Sequence, residues 1–488
     1  MKTKWKLVIF LLTITSMLSG CLGEKPVLEQ LDEGKGKIKV LYYNEESFYQ
    51  QYGNYFNVKF PDIEFEVVNS EDMYANRKDN EPFDYEAEMK KFLDKHKPDV
   101  LFLNDTMYET YAKDGKLYNI EEIIAQEKFD LEGYMPGLID MIRAKGNGTL
   151  YGLAPSFYTN VLYFNRALFK EHNIEPPRNK MSWQEVIDLS KRFTGIGSGD
   201  NQIFGLYQDY GDVDRVMDNI VSTSGLKLVD QKGEKLLINS DGWKKAITLA
   251  TDAIRSKAVY VPPRDNVENG QMMRFGNDMF MRGKAAMMIE STWFARQIKD
   301  RHRYDKEAKQ IDWDIVTAPV DPATPDESGN VFLSEIYAIS ADSPNKRAAW
   351  EFVKFVNGTE MAKASSRALS GQIPTRNQYF KEIDGRSTEP FYLLKPKSTA
   401  ERYNKNIPME FYEPYNQLLR KALQDIVDNK KSLDEAVAEL ETKGQAELIK
   451  AKEAEKARLA KEKKGDSSST KTESTGSTES TGSTKSGG

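Results

Sequence analysis

The sequence of 488 residues has one cysteine, Cys21, and three histidines, His96, His172 and His302. A single cysteine excludes a disulfide within the chain and a zinc or iron–sulfur site built from several cysteines. The histidines stand far apart, so we expect each to be a surface residue rather than a metal ligand or a base. The sequence also lacks the Gly-x-Ser-x-Gly, His-Glu-x-x-His and Gly-x-x-x-x-Gly-Lys motifs, which are signatures of serine hydrolases, zinc peptidases and P-loop proteins.

Long apolar runs are scarce as well. The run from Leu7 to Leu18 follows three lysines, and it is shorter than the roughly twenty apolar residues that a membrane-spanning helix needs. A basic start, an apolar centre and small residues before a cleavage site form an export signal, which we predict over residues 1–20. Removing the three lysines of this signal changes the net charge from −6 to −9. This mildly acidic balance argues against nucleic acid as a partner.

The predicted signal ends in Leu18-Ser-Gly-Cys21, which resembles a bacterial lipobox. In that motif the cysteine receives a diacylglyceryl group, and further acyl chains such as palmitate strengthen the anchor because each buried methylene adds roughly 0.8 kcal/mol. We therefore predict a lipidated linker over residues 21–35 and a location on the extracellular side of the cell membrane of a Gram-positive bacterium. An ordinary signal peptide with a chance cysteine is the alternative.

Helical patterns alternate with short apolar runs between residues 36 and 440. This alternation is typical of α/β domains, in which helices cover parallel sheets. Helix starts are marked by Ser182-Trp-Gln-Glu185, Ser343-Pro344 and Ser432-Leu-Asp-Glu435. The apolar runs have the length and composition of buried strands. They cover residues 38–43, 100–103, 161–164, 285–289, 315–318 and 337–339.

Polar residues follow the first two predicted strands. Asn44 and Glu45 come after the first strand, and Asn104 and Asp105 come after the second. Ligands approach the carboxyl ends of parallel strands in open α/β sheets. We therefore predict that these four residues line the rim of a ligand cleft.

Five segments follow one another in an order that resembles a known family. They are Tyr151-Gly-Leu-Ala-Pro-Ser with Asn160 to Phe169, Ser182-Trp-Gln-Glu185, Phe280 to Trp293, Ser343 to Phe352, and Ser432 to Val437. Together they resemble the extracellular solute-binding lipoproteins of carbohydrate ABC importers, family 1, which includes maltodextrin-binding protein. The resemblance implies an α/β, two-lobed periplasmic-binding-protein-like fold with hinge strands and a ligand cleft between the lobes.

The resemblance also implies a domain organisation. Lobe one would contain residues 36–152 plus 334–372, and lobe two would contain residues 153–333 plus 373–445. Residues 446–488 would form a charged helical extension and a disordered Ser/Thr/Gly-rich tail. Members of this family capture a solute and deliver it to a permease without catalysis. The expected protein is thus a monomer without a cofactor, and its partners are a carbohydrate and the permease subunits.

Candidate ligand residues follow from the chemistry of a sugar. A pyranose has an apolar face of C–H groups and a rim of hydroxyls, so its site needs aromatic rings and polar side chains. Trp293 is the first candidate, because residues 283–293 resemble the family region whose tryptophan stacks on sugar; a core tryptophan is the alternative. The other candidates are Tyr158, Tyr210, Glu335, Tyr337 and Arg376. Arg376 could bind hydroxyls or a uronic carboxylate, or it could pair with a carboxylate of the protein itself.

Three other interpretations compete with a sugar-binding protein without a metal. Asp209, Asp212, Asp214 and Asp218 are dense enough to suggest calcium, but the spacing of the twelve-residue calcium loop is missing, so we predict no metal. A secreted glycoside hydrolase with paired carboxylates is the enzyme alternative. A binder of a non-sugar solute on the same fold is the other, because a fold does not determine its ligand.

Overall fold

The computed structural model describes residues 26–75, 85–208, 213–261, 279–304, 310–367, 372–397 and 406–469, with the side chains of 302–304 and 461–469 left out. Several sequence predictions lie outside the described residues. They are the signal over residues 1–20, the lipidation of Cys21, the role of Tyr210 and the disorder of the tail after residue 469.

The strands, in chain order, are β1 Gly36–Tyr42, β2 Ile63–Asn69, β3 Val100–Leu103, β4 Gly152–Leu153, β5 Ser156–Phe157, β6 Val161–Asn165, β7 Phe204–Tyr207, β8 Val259–Tyr260, β9 Ala285–Glu290, β10 Trp313–Thr317, β11 Glu327–Ser328, β12 Ile336–Ile339, β13 Ile373–Pro374, β14 Glu382–Ile383, β15 Arg386–Ser387 and β16 Lys395–Pro396. The helices are α1 Glu45–Phe48, α2 Asn54–Lys59, α3 Tyr85–His96, α4 Asp105–Lys113, α5 Glu121–Gln126, α6 Leu138–Lys145, α7 Arg166–Glu171, α8 Trp183–Lys191, α9 Val213–Ser224, α10 Asp241–Arg255, α11 Thr292–Tyr304, α12 Lys346–Val356, α13 Thr359–Ser365, α14 Met409–Val427 and α15 Leu433–Ser469. A π-helical turn, Tyr49–Gly53, joins α1 to α2.

The internal contacts divide the chain into two compact units. The first unit comprises Met1–Asn160, Ser291–Lys299 and Val331–Ser398, and the remainder forms the second unit. The predicted lobe boundaries differ from this division, since residues 153–160, 291–299, 331–333 and 373–398 were placed in lobe two. Strands β5 and β13, which pair with each other, both fall in the first unit.

The first unit is built on a five-stranded sheet with the order β2-β1-β3-β12-β4. Strand β1 runs parallel to β2 and β3, whereas β12 runs antiparallel to both β3 and β4. The sheet is therefore mixed, although the sequence predicted parallel sheets. Helix α12 packs on β1 and β12 and buries Trp350 and Phe352 completely, which gives this unit its own apolar core.

The second unit is built on a five-stranded sheet with the order β10-β6-β9-β7-β8. Strand β6 is antiparallel to β10 and β9, and β7 is parallel to β8 and β9. Helix α14 packs against α9, α10 and α15. The core of this unit therefore includes a helical layer from the C-terminal part of the described chain.

The predicted helix starts can be compared with the structure. The capping box at Ser182 is present, because its Oγ accepts from the Glu185 backbone N at 3.2 Å and Glu185 Oε2 accepts from the Ser182 N at 2.7 Å. The same reciprocal bonds join Ser432 and Glu435, at 3.3 and 2.9 Å. Helix α12 begins at Lys346, a few residues after the predicted start. The capping boxes in the sequence thus predicted two of the three helix starts correctly.

Helix α15 starts at Leu433 and continues to Ser469, through the stretch predicted as a charged helical extension. Its side chains Val437, Leu440 and Leu448 are buried in the core of the second unit. Within the described chain, no helix combines the length and the apolar character needed to cross a membrane.

Candidate functional site

Two asparagines stand at matching ends of neighbouring strands in the first unit. Val40 of β1 pairs with Val100 of β3 in parallel register, so Asn44 and Asn104 follow the two strands at the same position. Asn44 Oδ1 accepts from the Ser47 N at 2.8 Å, and Asn104 Oδ1 accepts from the Met107 N at 2.9 Å. Both side chains therefore cap the helices that begin here.

The acidic residues beside these caps lie in the first helical turns. Glu45 is exposed, as the first residue of α1. Asp105 is the first residue of α4; its Oδ2 lies 3.7 Å from Lys145 Nζ, while its Oδ1 is buried without a hydrogen bond of standard geometry. Burial raises the pKa of Asp105, and Lys145 partly offsets this rise. Negative charge at a helix N-terminus is favourable, so both carboxylates have a structural role available to them.

The π-helical turn places polar groups over the end of the sheet. The Tyr42 hydroxyl donates to Gln51 Oε1 at 2.6 Å, and Gln51 Nε2 donates to the Tyr52 hydroxyl at 3.1 Å. The rings of Tyr52 and Tyr337 meet edge to face at 5.7 Å. A π turn adds one residue to the helical repeat. This allows Gln51 to bond with the Tyr42 hydroxyl while Tyr52 contacts the ring of Tyr337.

Glu335 is the central residue of this cluster. Since Ile336 of β12 pairs with Leu103 of β3, Glu335 lies just beyond the paired strands, at the level of Asn104. Its side chain is only 3% exposed, and Oε1 accepts from Gln372 Nε2 at 2.6 Å. Oε2 is buried and makes no hydrogen bond of standard geometry with the described residues. Burial raises the pKa of Glu335, and Gln372 and the Tyr52 hydroxyl offset part of this rise.

Tyr337 lies deeper than a surface ligand residue would. It is completely buried and contacts Phe102 edge to face, with 5.6 Å between ring centroids. Its hydroxyl also lacks a hydrogen bond of standard geometry. Burial raises the pKa of Tyr337, and nearby Tyr52 and Glu335 add to the effect. Tyr337 therefore supports the cluster from the core of the first unit.

Tyr43 and Tyr158 form the accessible side of the cluster. Tyr43 is 44% exposed, and its ring contacts Phe102 at 4.8 Å. Burial raises the pKa of Tyr43 to about 12, and Glu335 and Tyr158 add to this rise. Tyr158 is half-buried, and its backbone exchanges two hydrogen bonds of 2.9 Å with Phe332. We call this set the Glu335 cluster; it contains Tyr42, Tyr43, Tyr52, Tyr158, Glu335, Tyr337 and Gln372.

Four members of the cluster were not predicted from the sequence as ligand residues, namely Tyr42, Tyr43, Tyr52 and Gln372. Tyr43 could have been found, because it directly precedes Asn44 at a strand end. Tyr52 and Gln372 come from the π turn and from a segment far along the chain. The cluster offers aromatic rings beside a carboxylate, an arrangement that can hold a small polar solute with an apolar face.

Arg376 was predicted to bind ligand or, alternatively, to pair with a carboxylate of the protein. The structure favours the second possibility, because the side chain is 1% exposed. Its guanidinium donates to Asp130 Oδ2 and to the Asp130 carbonyl, each at 2.7 Å, and to the Asn357 carbonyl at 3.0 Å. It also lies over the rings of Phe129 and Tyr134, at 5.4 and 4.7 Å from their centroids. Arg376 is thus a structural residue of the first unit.

Trp293 is the second residue of α11 and is 46% exposed. This exposure disfavours the core alternative. The Arg296 guanidinium carbon lies 5.2 Å from the centroid of the Trp293 ring. The ring therefore remains a candidate for stacking on a ligand.

Two of the four aspartates considered for calcium, Asp214 and Asp218, lie within the residues that the structure describes. Asp209 and Asp212 lie outside the described residues, and Asp214 Oδ2 lies 3.4 Å from the Arg420 guanidinium. Among the residues that the structure covers, no group of three or more His, Cys, Asp or Glu side chains could hold a metal ion.

Comparison with known proteins places the chain in a family. Residues 43–363 match the model of the bacterial extracellular solute-binding proteins. This match covers more than half of the chain, and the protein therefore belongs to that family.

Individual relatives are distant. A binding protein of Brucella abortus is 23% identical over 214 residues, which are 43% of this chain and 47% of that protein. The chain thus spans about half the length of the curated relatives that it matches. A crystal structure of a sugar transporter from Rhizobium etli, in an open conformation, has a TM-score of 0.61 at 19% identity and covers 84% of this chain and 99% of that one. The sugar-binding protein MalE from Xanthomonas citri has a TM-score of 0.59 at 18% identity and covers 86% and 99%. These structures share the two-lobed α/β fold with this protein.

Proposed function

We propose that this protein is the solute-binding component of a bacterial ABC importer and that its solute is a carbohydrate. The observation that carries the proposal is the Glu335 cluster, which combines the exposed ring of Tyr43 and the half-buried Tyr158 with a buried carboxylate. A pyranose fits such a surface, because its C–H face packs on aromatic rings and its hydroxyls donate to carboxylate oxygens. Two proteins of the same fold are described as a sugar transporter and a sugar-binding protein, which supports this ligand class.

The proposed mechanism involves binding without chemistry. The solute binds one conformation of the protein more tightly than the other and so shifts the population toward the loaded form. The permease subunits then engage that form, and a separate ATPase drives transport. The protein works as a monomer, and the sugar is released unchanged.

The test is a ligand screen by thermal unfolding and calorimetry, with mono- and oligosaccharides, peptides, phosphorylated solutes and metal salts. A ligand at one hundred times its dissociation constant adds about 2.7 kcal/mol to the stability of the folded state, which shifts the unfolding temperature measurably. We expect stabilisation by one class of sugar and recovery of the intact sugar after overnight incubation. Cleaved sugar would support the enzyme alternative, and stabilisation by a non-sugar solute alone would refute the carbohydrate proposal.

We also propose that Cys21 carries the lipid that holds the protein on the outer face of the cytoplasmic membrane of a Gram-positive bacterium. The lipobox-like Leu18-Ser-Gly-Cys21 supports this proposal, because two or more acyl chains give stable attachment. Cys21→Ser should move the protein from the membrane fraction to the culture medium, while Ser19→Ala should leave it in the membrane fraction. Retention of the Cys21→Ser protein in membranes, with its signal removed, would refute lipid anchoring.

A further inference from the structure

Glu335 is a buried carboxylate without a cationic partner. No described lysine or arginine forms an ion pair with it, and its polar neighbours are the Gln372 amide and the Tyr52 hydroxyl. Ionised groups in protein interiors are normally paired, because an unpaired buried charge costs several kcal/mol. By contrast, the buried Arg376 of the same unit has its carboxylate, Asp130, at 2.7 Å. The absence of a partner for Glu335 therefore needs an explanation.

The surroundings of Glu335 are suited to a positive charge. The charge of Glu335 acts on the hydroxyls of four tyrosines, Tyr42, Tyr43, Tyr52 and Tyr337. A hydroxyl oxygen can accept a hydrogen bond from an ammonium group. Oε2 of Glu335 has no hydrogen bond of standard geometry. An ammonium group, with three donors and one positive charge, would complement this oxygen and the charge of the carboxylate together.

The nearby strand ends strengthen this preference. Glu45 and Glu71 follow β1 and β2, and neither is in an ion pair with a described lysine or arginine. Lys145, which lies near the first turn of α4, is already beside Asp105. The end of the sheet is therefore negative overall, and a phosphate or uronate group would meet like charges there.

We propose that the Glu335 cluster selects a sugar with a positively charged amino group, such as a glucosamine oligosaccharide. This inference rests on the proposed function, since it names the carbohydrate class. The ammonium of the ligand pairs with the Glu335 carboxylate, and the sugar ring lies against Tyr43 and Tyr158. Acetylation of the amino group removes both the charge and two of its donors, so it should abolish the preference.

The inference also predicts how pH affects binding. The groups that face Glu335 are the hydroxyls of Tyr42, Tyr52 and Tyr337, from β1, the π turn and β12, and the Gln372 amide. None of these groups changes its charge between pH 5 and 8, because burial raises the pKa of each of the three tyrosines. Burial raises the pKa of Glu335 in the empty protein, so binding of an ammonium group should release protons and weaken as the pH falls through the raised pKa.

The experiment is titration calorimetry of the exported, processed protein with three matched disaccharides, namely the dimers of glucosamine, N-acetylglucosamine and glucose. At pH 7.5 we expect the glucosamine dimer to bind at least tenfold more tightly than the other two. Glu335→Gln should bring the three affinities to within about threefold of one another. The control Glu360→Gln, which removes an exposed carboxylate paired with Lys59, should leave all three unchanged.

Two outcomes would overturn the inference. If the glucose or N-acetylglucosamine dimer binds as tightly as the glucosamine dimer, and Glu335→Gln does not alter the ratio, the site selects a neutral sugar and the proposed function stands. If no saccharide binds, the carbohydrate proposal fails and this inference fails with it. Circular dichroism and the unfolding temperature of Glu335→Gln show whether the variant is folded, and Glu335→Asp, which keeps the charge, should retain part of the preference.

Discussion

Replacing Arg376 by methionine tests whether this arginine stabilises the fold or binds the solute. The change removes three hydrogen bonds of 2.7 to 3.0 Å, from a side chain that is 1% exposed. After the change, the buried Asn357 carbonyl keeps only a long contact with the Tyr134 hydroxyl, at 3.4 Å, and the Asp130 carbonyl loses its arginine donor. Each buried acceptor left without a donor costs about 1–3 kcal/mol.

The remaining carboxylate limits the loss. The Asp130 side chain is 50% exposed, and its Oδ1 still accepts from the Glu132 and Gly133 backbone N atoms at 2.9 and 3.1 Å. Breaking a fully buried ion pair costs about 3–5 kcal/mol, and we expect Arg376→Met to cost less, about 2–4 kcal/mol. Calorimetric and urea unfolding should show this as a loss confined to one transition, because two units need not unfold together.

The control for this prediction is Lys381→Met, which replaces an exposed cation five residues away. It should change stability by less than about 0.5 kcal/mol. Sugar affinity should stay within a few-fold of the original for both variants, measured at a temperature where both are folded. A tenfold loss of affinity in Arg376→Met with an unchanged unfolding midpoint would refute the structural role and restore the ligand-binding interpretation.

Three further predictions concern single side chains. Trp293→Ala should weaken sugar binding more than tenfold while the unfolding temperature of the empty protein stays within a few degrees, because the ring is 46% exposed; a large loss of apo stability would contradict its stacking role. Burial raises the pKa of Glu335 in the folded protein. The contribution of this group to folding stability is therefore complete below its unfolded pKa and is lost as the pH rises through its folded pKa. From pH 4 to 8, the unfolding temperature of Glu335→Gln should increasingly exceed that of the original protein. Ser182→Ala removes the capping box of α8 and should cost about 1 kcal/mol in urea unfolding, without changing sugar affinity.

Local patterns in the sequence predicted much of the fold. The run 100–103 coincides with β3, and the run 285–289 falls one residue short of β9. Short apolar runs are informative because a strand buried on both faces needs apolar residues along its whole length. The capping boxes at Ser182 and Ser432 also identified helix starts, since both partners of each bond lie within four residues.

Long-range pairing was beyond these patterns. Strand β12 inserts between β3 and β4 although more than 180 residues of sequence separate it from β4. That insertion buries Glu335 and Tyr337, which were predicted from the sequence as ligand residues without any indication of this depth. Likewise, Arg376 contacts Asp130 across 246 positions. The periodicity of apolar residues along the sequence does not indicate such contacts, because they depend on which elements become neighbours in the folded chain.

The expectation that ligands bind at the carboxyl ends of strands pointed to the region of the Glu335 cluster, but it did not distinguish structural residues from candidate ligand residues. Parallel strands are followed by helices, so polar residues collect at their carboxyl ends to cap those helices as well as to bind ligands. Asn44 and Asn104 have their oxygens occupied by backbone N–H groups, and this use fully accounts for their position. Glu335 is different, because one of its buried oxygens lacks a standard hydrogen bond and its charge lacks a described cationic partner. At the carboxyl end of a sheet, a polar group without a hydrogen-bond partner in the protein is a stronger candidate for ligand binding than one that caps a helix. For this reason Glu335, rather than Asn44 or Asn104, should determine which sugar is bound.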